Sequence, residues 1–297
     1  MPDTSTPTDT TRRLLTASAR HSYDPDLDID WEAPVPDEGH SLPPHRISLY
    51  GTDLWDRLTP EQQIRLGTHE WCSITRFGIW FEMLLMRMLL RDMYRRDPAS
   101  EYVRYALTEI GDETRHSVMF AREIEKLGAA RYAPSATTYR LGSLFVATAP
   151  RGPAMYAAVL LAEETLDRLQ REMMADETLQ PLVRMACRIH VVEEARHVRF
   201  ARAELVKQLE HTSRPVLLRH RQLTAAAAYV IGTNLIHPRV YTSVGLDPRV
   251  ATAAARANPY HRDTLRWMAG PVTDFLTEVG MIGRPGGALW RRSGFLD

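Results

Sequence analysis

Cysteine is scarce in this sequence, which contains only Cys72 and Cys187. Both lie in stretches with helical patterns, so a disulfide framework is not expected and a reducing cytoplasm fits. The sequence also lacks the cysteine cluster that a structural zinc site would need. We therefore expect a cytoplasmic protein without disulfides.

Net charge is absent as well, because 37 Lys and Arg residues balance 37 Asp and Glu residues. This balance gives no electrostatic reason to expect nucleic acid or an anionic membrane as a partner. No apolar run approaches the roughly 20 residues that span a bilayer, and residues 1–13 lack the apolar core of a signal peptide. A glycine-rich phosphate loop is missing too, so nucleotide binding is not expected.

What the sequence does contain is a series of long helical patterns, with almost no period-two alternation, and this predicts an all-α fold. An apolar fraction of 44% supports a substantial core. A long connection over residues 129–153, with room for one short helix, separates the second and third long helices, as in a ferritin-like bundle. The four long helices are predicted at about 68–94, 100–128, 154–174 and 181–210.

The segments outside the four long helices are predicted to be less regular. Residues 1–45 are proline-rich and acidic, and we expect an extended or partly disordered arm laid over the domain. The ferritin-like domain itself is predicted to span residues 46–282, and the glycine-rich residues 283–297 form an irregular tail. Additional C-terminal helices are predicted at about 215–234, 248–257 and 261–279.

Two similar pentads carry the chemistry: Asp-Glu-Thr-Arg-His at residues 112–116 and Glu-Glu-Ala-Arg-His at residues 193–197. In each pentad a Glu precedes a His by three residues, so both side chains share one helix face. Two such helices facing each other hold two metal ions in carboxylate-bridged bundles. The alternative for the first pentad is a solvated charged face, but Ile110 and Phe120 on the same stripe argue against it. The predicted ligands from these motifs are Glu113, His116, Glu194 and His197.

A two-metal bundle also needs one Glu from each of the other two helices. On the first helix the candidate is Glu82, which lies on an apolar stripe where an ionised carboxylate must be paired or bound to metal. The alternative is an ion pair between Glu82 and a nearby arginine. On the third helix the more apolar face carries Glu163, whereas Glu164 has Arg168 four residues on. We therefore assign Glu163 to the metal and Glu164 to the surface.

A third histidine, His190, lies one helical turn before Glu194 on the same face of the fourth helix. A buried histidine is often only a hydrogen-bonded core residue, and that alternative stands beside the role of metal ligand. Oxygen and imidazole donors suit iron, with manganese as a possible substitute. Asp112 and Glu193, which directly precede the ligand glutamates, are candidates to hydrogen-bond the ligand histidines. Alternatively, both are surface acids paired with arginines.

These motifs resemble the p-aminobenzoate N-oxygenase (AurF-like) family over roughly residues 68–210. The resemblance rests on His190, Glu194 and His197 in register, on Ala162-Glu163 and on Gln180-Pro181. One departure is Glu193, where the family pattern has Asp. The resemblance implies a di-iron centre that uses O₂ to oxidise an aryl or small primary amine to hydroxylamine and nitro products. It also implies a homodimer and a role in secondary metabolism, such as antibiotic biosynthesis, with an electron donor that the sequence does not identify.

Two other functions are compatible with the same residues, because fold and ligands do not determine the reaction. The first is C–H hydroxylation or desaturation at the same di-iron centre. The second is ferroxidase, storage or purely structural use of a ferritin-like bundle. The extra histidine and the C-terminal helices argue against storage.

Overall fold

The computed structural model describes residues 7–148 and 151–297, and within these ranges it contains helices and loops, with a single isolated β-bridge between His40 and Leu179. The all-α prediction is confirmed. Two short 3₁₀ segments, Pro44–Arg46 and Pro238–Val244, accompany the α-helices. The α-helices are α1 (Pro7–Arg20), α2 (Pro25–Asp28), α3 (Asp53–Asp56), α4 (Pro60–Met93), α5 (Glu101–Lys126), α6 (Ala136–Thr148), α7 (Pro153–Ala175), α8 (Pro181–Glu210), α9 (Arg214–Asn234), α10 (Pro248–Ala257), α11 (Pro259–Glu278) and α12 (Gly287–Ser293).

The four long predicted helices form the bundle as α4, α5, α7 and α8. Helix α4 packs against α5, and α7 packs against α8. Contacts between α5 and α8 and between α4 and α7 close the bundle. The connection from α5 to α7 contains α6, so the predicted crossover with one short helix is present; its residues 149–150 lie outside the described ranges. Within those ranges, every helix is too short or too polar to cross a bilayer.

The sequence Thr59-Pro60-Glu61-Gln62 predicts a helix N-cap, and the structure confirms it with a capping box at Thr59. This cap begins one continuous helix, so α4 starts eight residues before Thr68, where we expected the long helix to begin. The Thr59 hydroxyl accepts a hydrogen bond from the Gln62 backbone N–H at 3.3 Å. The Gln62 side chain in turn accepts one from the Thr59 N–H at 3.0 Å. Pro60 at the first helical position has no N–H to leave unsatisfied. This extra length lets α4 reach the C-terminal 3₁₀ segment.

The arm over residues 1–45 differs from the extended segment that we predicted. Helix α1 packs against α5 and α8, with Leu14 buried. Farther along, Trp31 is buried and donates its indole N–H to the carbonyl of Pro25 at 2.8 Å. Proline and acidic residues suggested disorder, but these apolar side chains are buried in the described fold and favour order. Residues 1–6 of the predicted arm lie outside the described ranges, and the domain boundary at 45 remains a prediction.

The C-terminal tail also differs, since residues 283–297 contain α12 rather than only irregular chain. Trp290 on α12 is buried, and α12 packs against α9. The close approach requires Gly232, where an added Cβ would collide with the carbonyl of Ser293. Burial of Trp290 and the close approach at Gly232 therefore favour a packed helix in a segment whose glycine content suggested an irregular loop.

Two buried carboxyl groups outside the bundle centre make stability depend on pH. Burial raises the pKa of Glu70 from 4.5 to about 7, although Ser48 donates a backbone hydrogen bond to it at 2.9 Å. Burial likewise raises the pKa of Glu123 to about 8, against a hydrogen bond from Trp71 at 3.0 Å. The folded state therefore keeps protons that the unfolded chain releases near pH 4.5.

The free energy of unfolding should fall as pH rises from 4.5 to about 7 through Glu70, by roughly 1 kcal/mol per pH unit. The matched variant Glu70→Gln keeps the shape of the side chain but cannot ionise, so its pH dependence should be flatter by that amount. Urea unfolding of both proteins at several pH values measures the difference. Parallel pH profiles would contradict this assignment of a proton to Glu70.

Candidate metal centre

All seven residues predicted as metal ligands lie inside the bundle, and none is more than 4% exposed. One comes from α4, two from α5, one from α7 and three from α8. Because residues three or four apart share a helix face, each helix can aim its ligand set at the bundle axis. The seven are Glu82, Glu113, His116, Glu163, His190, Glu194 and His197.

Their donor atoms form overlapping groups, each with all donor atoms within 4.8 Å of one another. One group joins Glu82, His116 and His190, and another joins Glu163, His190 and Glu194. Glu194 is central, because its Oε1 lies 3.2 Å from His116 Nδ1 and 3.1 Å from His197 Nδ1. Shared donors of this kind suit two neighbouring cations better than one.

Glu113 joins the two pentads. It belongs to a group with His116 and Glu194, and its Oε1 lies 3.0 Å from His197 Nδ1. The first pentad therefore reaches across to the second, as the prediction of facing Glu-x-x-His motifs requires.

The electrostatics of the centre also fit a pair of cations. Burial and then the neighbouring carboxylates Glu194 and Glu113 raise the pKa of Glu163 well above its ordinary value. Burial likewise raises the pKa of Glu82. Buried Glu194 Oε2 has no hydrogen-bond partner in the described part of the chain. A buried acceptor without a donor is costly, and a metal ion would satisfy it.

Glu82 is held in place by α5 rather than by an arginine. The Ser117 hydroxyl donates a short hydrogen bond to Glu82 Oε2. Arg91, one of the alternative partners, donates instead to the carbonyl of Val146. This leaves Glu82 Oε1 directed toward His190 Nε2, at 3.8 Å.

Each histidine of the centre uses its second ring nitrogen in a hydrogen bond to an acceptor farther out. His116 Nε2 donates to Glu193 Oε2 at 2.8 Å, and His197 Nε2 donates to Asp112 Oδ2 at 3.2 Å. These two bonds cross between α5 and α8, so each pentad orients the histidine of the other. The remaining nitrogen of each ring then faces the carboxylates, as a metal ligand requires.

Asp112 and Glu193 each hydrogen-bond a histidine of the centre and also lie beside an arginine, although neither is a surface acid. Besides its histidine bond, Asp112 pairs with Arg196 at 3.2 Å and closely with Arg115. Burial alone would raise the pKa of Asp112, but the hydrogen bond from His197 and these guanidinium groups hold the pKa below its ordinary value. Both acids are buried rather than on the surface.

We expect Asp112→Asn and Glu193→Gln to weaken iron binding by roughly 10- to 100-fold each, because each loses the anionic acceptor that orients a ligand histidine. The control is Asp167→Asn, since Asp167 pairs with Arg171 at 2.6 Å on the outside of α7. Competition with a chromophoric ferrous chelator measures the affinities. Equal affinity in all three variants would mean that the two acids only pair with arginines.

Glu164 is not on the surface as predicted, although it is separate from the metal centre. It is 6% exposed and forms two charge-assisted hydrogen bonds with Arg202 of α8, one of them at 2.6 Å. The expected partner Arg168 instead donates to the carbonyl of Trp267 at 2.7 Å. The sequence favoured a partner four residues away, whereas the packing of α7 on α8 supplies one 38 residues away.

Glu109 is a candidate ligand that the sequence analysis did not assign. The carboxylate of Glu109 lies close to the carboxylate of Glu113 and the imidazole of His197, and the three could hold one metal ion. The buried Oε2 of Glu109 has no hydrogen-bond partner in the described ranges. Burial raises the pKa of Glu109 to about 8. The sequence spacing could have identified Glu109 as a candidate ligand, because Glu109 precedes Glu113 by one helical turn, just as His190 precedes Glu194.

A family model described as P-aminobenzoate N-oxygenase AurF matches residues 4–280 of this chain. Uncharacterised proteins of Mycobacterium bovis and Mycobacterium tuberculosis are 28% identical over 207 residues, which are 68% of this chain. The match spans 61% of the length of these relatives. A solved structure of a mutant R2-like ligand-binding oxidase with a reconstituted Mn/Fe cofactor has a TM-score of 0.47 and 14% identity over 96% of each chain.

The family model covers nearly the whole chain, including all seven residues gathered in the bundle. Carboxylate and imidazole donors without cysteine are the ligand types of iron and manganese centres. The chain therefore belongs to the P-aminobenzoate N-oxygenase (AurF) family.

Proposed function

We propose that this protein oxidises an amine with O₂, giving a hydroxylamine and then a nitro product. In this proposal two iron ions, for which manganese can substitute, are held by Glu82, Glu113, His116, Glu163, His190, Glu194 and His197. Glu109 is a further candidate donor beside Glu113 and His197.

The observation that carries this proposal is the placement of His190. Its Nδ1 donates to Gln170 Oε1 at 2.7 Å, which would satisfy a histidine of the core. Its Nε2, however, faces the carboxylates of the centre, 3.7 Å from Glu194 Oε1. The ring is fixed between His116 and Phe120, with centroid distances of 4.8 and 5.0 Å. A third imidazole is the feature that distinguishes the N-oxygenase resemblance from a generic two-metal bundle.

When bound, two ferrous ions supply the two electrons that O₂ needs for transfer of one oxygen atom to an amine. The first oxidation then balances as R–NH₂ + O₂ + 2 e⁻ + 2 H⁺ giving R–NHOH + H₂O. The protein's part is to place the ligands, set their charge and exclude water. Phe81 and Phe120 line a cavity of 30 Å³ together with Glu82, Glu163 and His190, so apolar rings limit the space for water beside these ligands.

Three further parts of the proposal follow from family membership and await their own tests. An external electron donor must supply two electrons for the oxidation of the amine to the hydroxylamine, whereas R–NHOH + O₂ giving R–NO₂ + H₂O balances without them. We propose a homodimer as the active form. We also propose a cytoplasmic role in secondary metabolism, such as antibiotic biosynthesis. Light scattering of the purified protein tests the dimer, and a neighbouring polyketide or peptide synthase gene cluster would support the metabolic role.

The reaction class is tested with chemically reduced, iron-loaded protein, ¹⁸O₂ and a panel of aryl and alkyl amines. Mass spectrometry should find labelled hydroxylamine or nitro products. Alkane and fatty substrates form the comparison panel. Labelled C–OH products, or desaturated products without any N-oxidation, would overturn the N-oxygenase proposal in favour of the hydroxylase or desaturase alternative.

A further inference from the structure

A large apolar cavity lies between α4, α6, α7, α9 and α12, and we call it the apolar chamber. Its volume is 270 Å³, and its walls include Trp80, Leu84, Phe145 and Leu223. None of the described residues that line it is charged, and the side-chain polar atoms that they bring to its wall belong to Trp80 and Tyr229. Protein cores are close-packed and rarely leave a space of this size unfilled. The chamber is therefore a candidate binding site for a small ligand.

The apolar chamber adjoins the metal centre through two shared side chains. Phe81 and Ile231 line the chamber, and both also line the small cavity that reaches Glu82, Glu163 and His190. Phe81 directly precedes Glu82 on α4. A molecule that occupies both cavities would therefore have one end at the metal ligands and its body among apolar side chains.

The opening of the chamber has the same chemical character as its interior. Leu141 and Leu144 on α6 are 48% and 57% exposed, and Tyr229 on α9 is 39% exposed. Gly142, between the two leucines, allows α6 to lie close to α4, because an added Cβ would collide with Trp80 and Leu84. An entering molecule thus meets apolar groups at the opening and along the chamber wall as far as Phe81 and Ile231.

We propose that the apolar chamber binds the uncharged, apolar body of the amine substrate and directs its nitrogen toward Glu82 and Glu163. This inference rests on the proposed function and names its substrate class. A charged body such as the carboxylate of p-aminobenzoate would lose its hydration in the chamber without gaining a cationic partner there. The substrate is therefore an amine with an extended hydrocarbon or aryl body, rather than an amino acid or aminobenzoate.

Two arylamines of matched head group test the inference: para-butylaniline and p-aminobenzoate. Calorimetric titration uses the iron-loaded protein in its oxidised state, so that binding is measured without turnover. Each methylene buried in the chamber should tighten binding roughly fourfold. We expect para-butylaniline to bind on the order of a hundredfold more tightly than p-aminobenzoate. Equal affinities, or tighter binding of p-aminobenzoate, would overturn the inference.

Two tryptophan variants test whether para-butylaniline binds inside the chamber. Ala227→Trp fills the chamber from α9, one turn before Ile231, and should weaken para-butylaniline binding about tenfold or more. Ala253→Trp puts the same side chain on the exposed face of α10 and should leave binding unchanged. Unchanged binding in folded, iron-loaded Ala227→Trp would contradict the chamber. As a measurement that needs no variant, bromine anomalous diffraction from para-bromoaniline in crystals of the native protein should show the bromine inside the chamber.

These experiments distinguish failure of the substrate-binding inference from failure of the proposed function. If para-butylaniline binds in the chamber and no amine is oxidised at nitrogen, the chamber stands and the proposed function fails. If p-aminobenzoate is bound preferentially and N-oxidised, the proposed function stands and the apolar substrate class is wrong.

Discussion

Replacing His190 with alanine should lower the rate of amine oxidation by on the order of a hundredfold while the helical bundle remains folded. The substitution removes one neutral donor from the group that also contains Glu82 and His116. The remaining carboxylates and histidines still bind iron, although more weakly, because water would take the vacated position. Iron content, affinity and product formation per bound iron pair should be measured together with the melting temperature.

The matched control is His220→Ala, because His220 is an equally buried histidine outside the metal centre. Its Nδ1 accepts a hydrogen bond from the Ala154 backbone N–H at 3.1 Å. We expect this variant to lose stability, by roughly 1–3 kcal/mol, and to keep normal oxidation per bound iron pair. If His190→Ala behaves in the same way as this control, His190 is a core residue and the N-oxygenase proposal loses its main support.

Exchanging the adjacent glutamates of α7 for glutamine should produce opposite results. Glu163→Gln removes a carboxylate whose pKa is raised by burial and by neighbouring carboxylates. Without metal, its loss relieves repulsion, so the iron-free protein should become more stable, whereas two-iron binding should be lost. Glu164→Gln instead breaks the buried pair with Arg202. It should destabilise the protein by about 1–3 kcal/mol and leave both irons in place.

Metal analysis and urea unfolding of the iron-free forms distinguish the two variants. The glutamates are neighbours in sequence and differ by one atom from their replacements, so each variant is the control for the other. Two irons per chain in Glu163→Gln, together with iron loss in Glu164→Gln, would mean that the two roles have been assigned in reverse.

The part of the site that could be predicted from the sequence is the part that depends on helical spacing. Glu113 and His116, like Glu194 and His197, are three residues apart, and regular helix geometry alone places each pair on one face. The placement of Glu82 and Glu163 needed only the apolar character of their own stripes. Fold class and helix order follow from the same local regularity.

What could not be predicted depends on contacts between elements distant in sequence. The partner of Glu164 is Arg202, which is brought near by the packing of α7 on α8, and spacing along one helix pointed to Arg168 instead. The order in the N-terminal arm likewise depends on the bundle surface under α1. The apolar chamber has walls from five helices, so no single segment of sequence shows it.

Glu109 is an intermediate case, because its spacing is a local signal and yet the sequence analysis assigned it no role. Its spacing to Glu113 and His116 repeats the spacing of His190 to Glu194 and His197. Only the burial of Glu109 beside His197 distinguishes a candidate donor from a solvated acid.

The central claim is that the two pentads and the glutamates of α4 and α7 hold two metal ions. Anomalous diffraction at the iron edge, from crystals of protein produced with ample iron, tests it most directly. We predict two iron peaks per chain within about 4 Å of each other, with Glu163 in contact and Glu164 bound to Arg202. A single zinc ion, no metal, or iron bound by Glu164 would contradict this account.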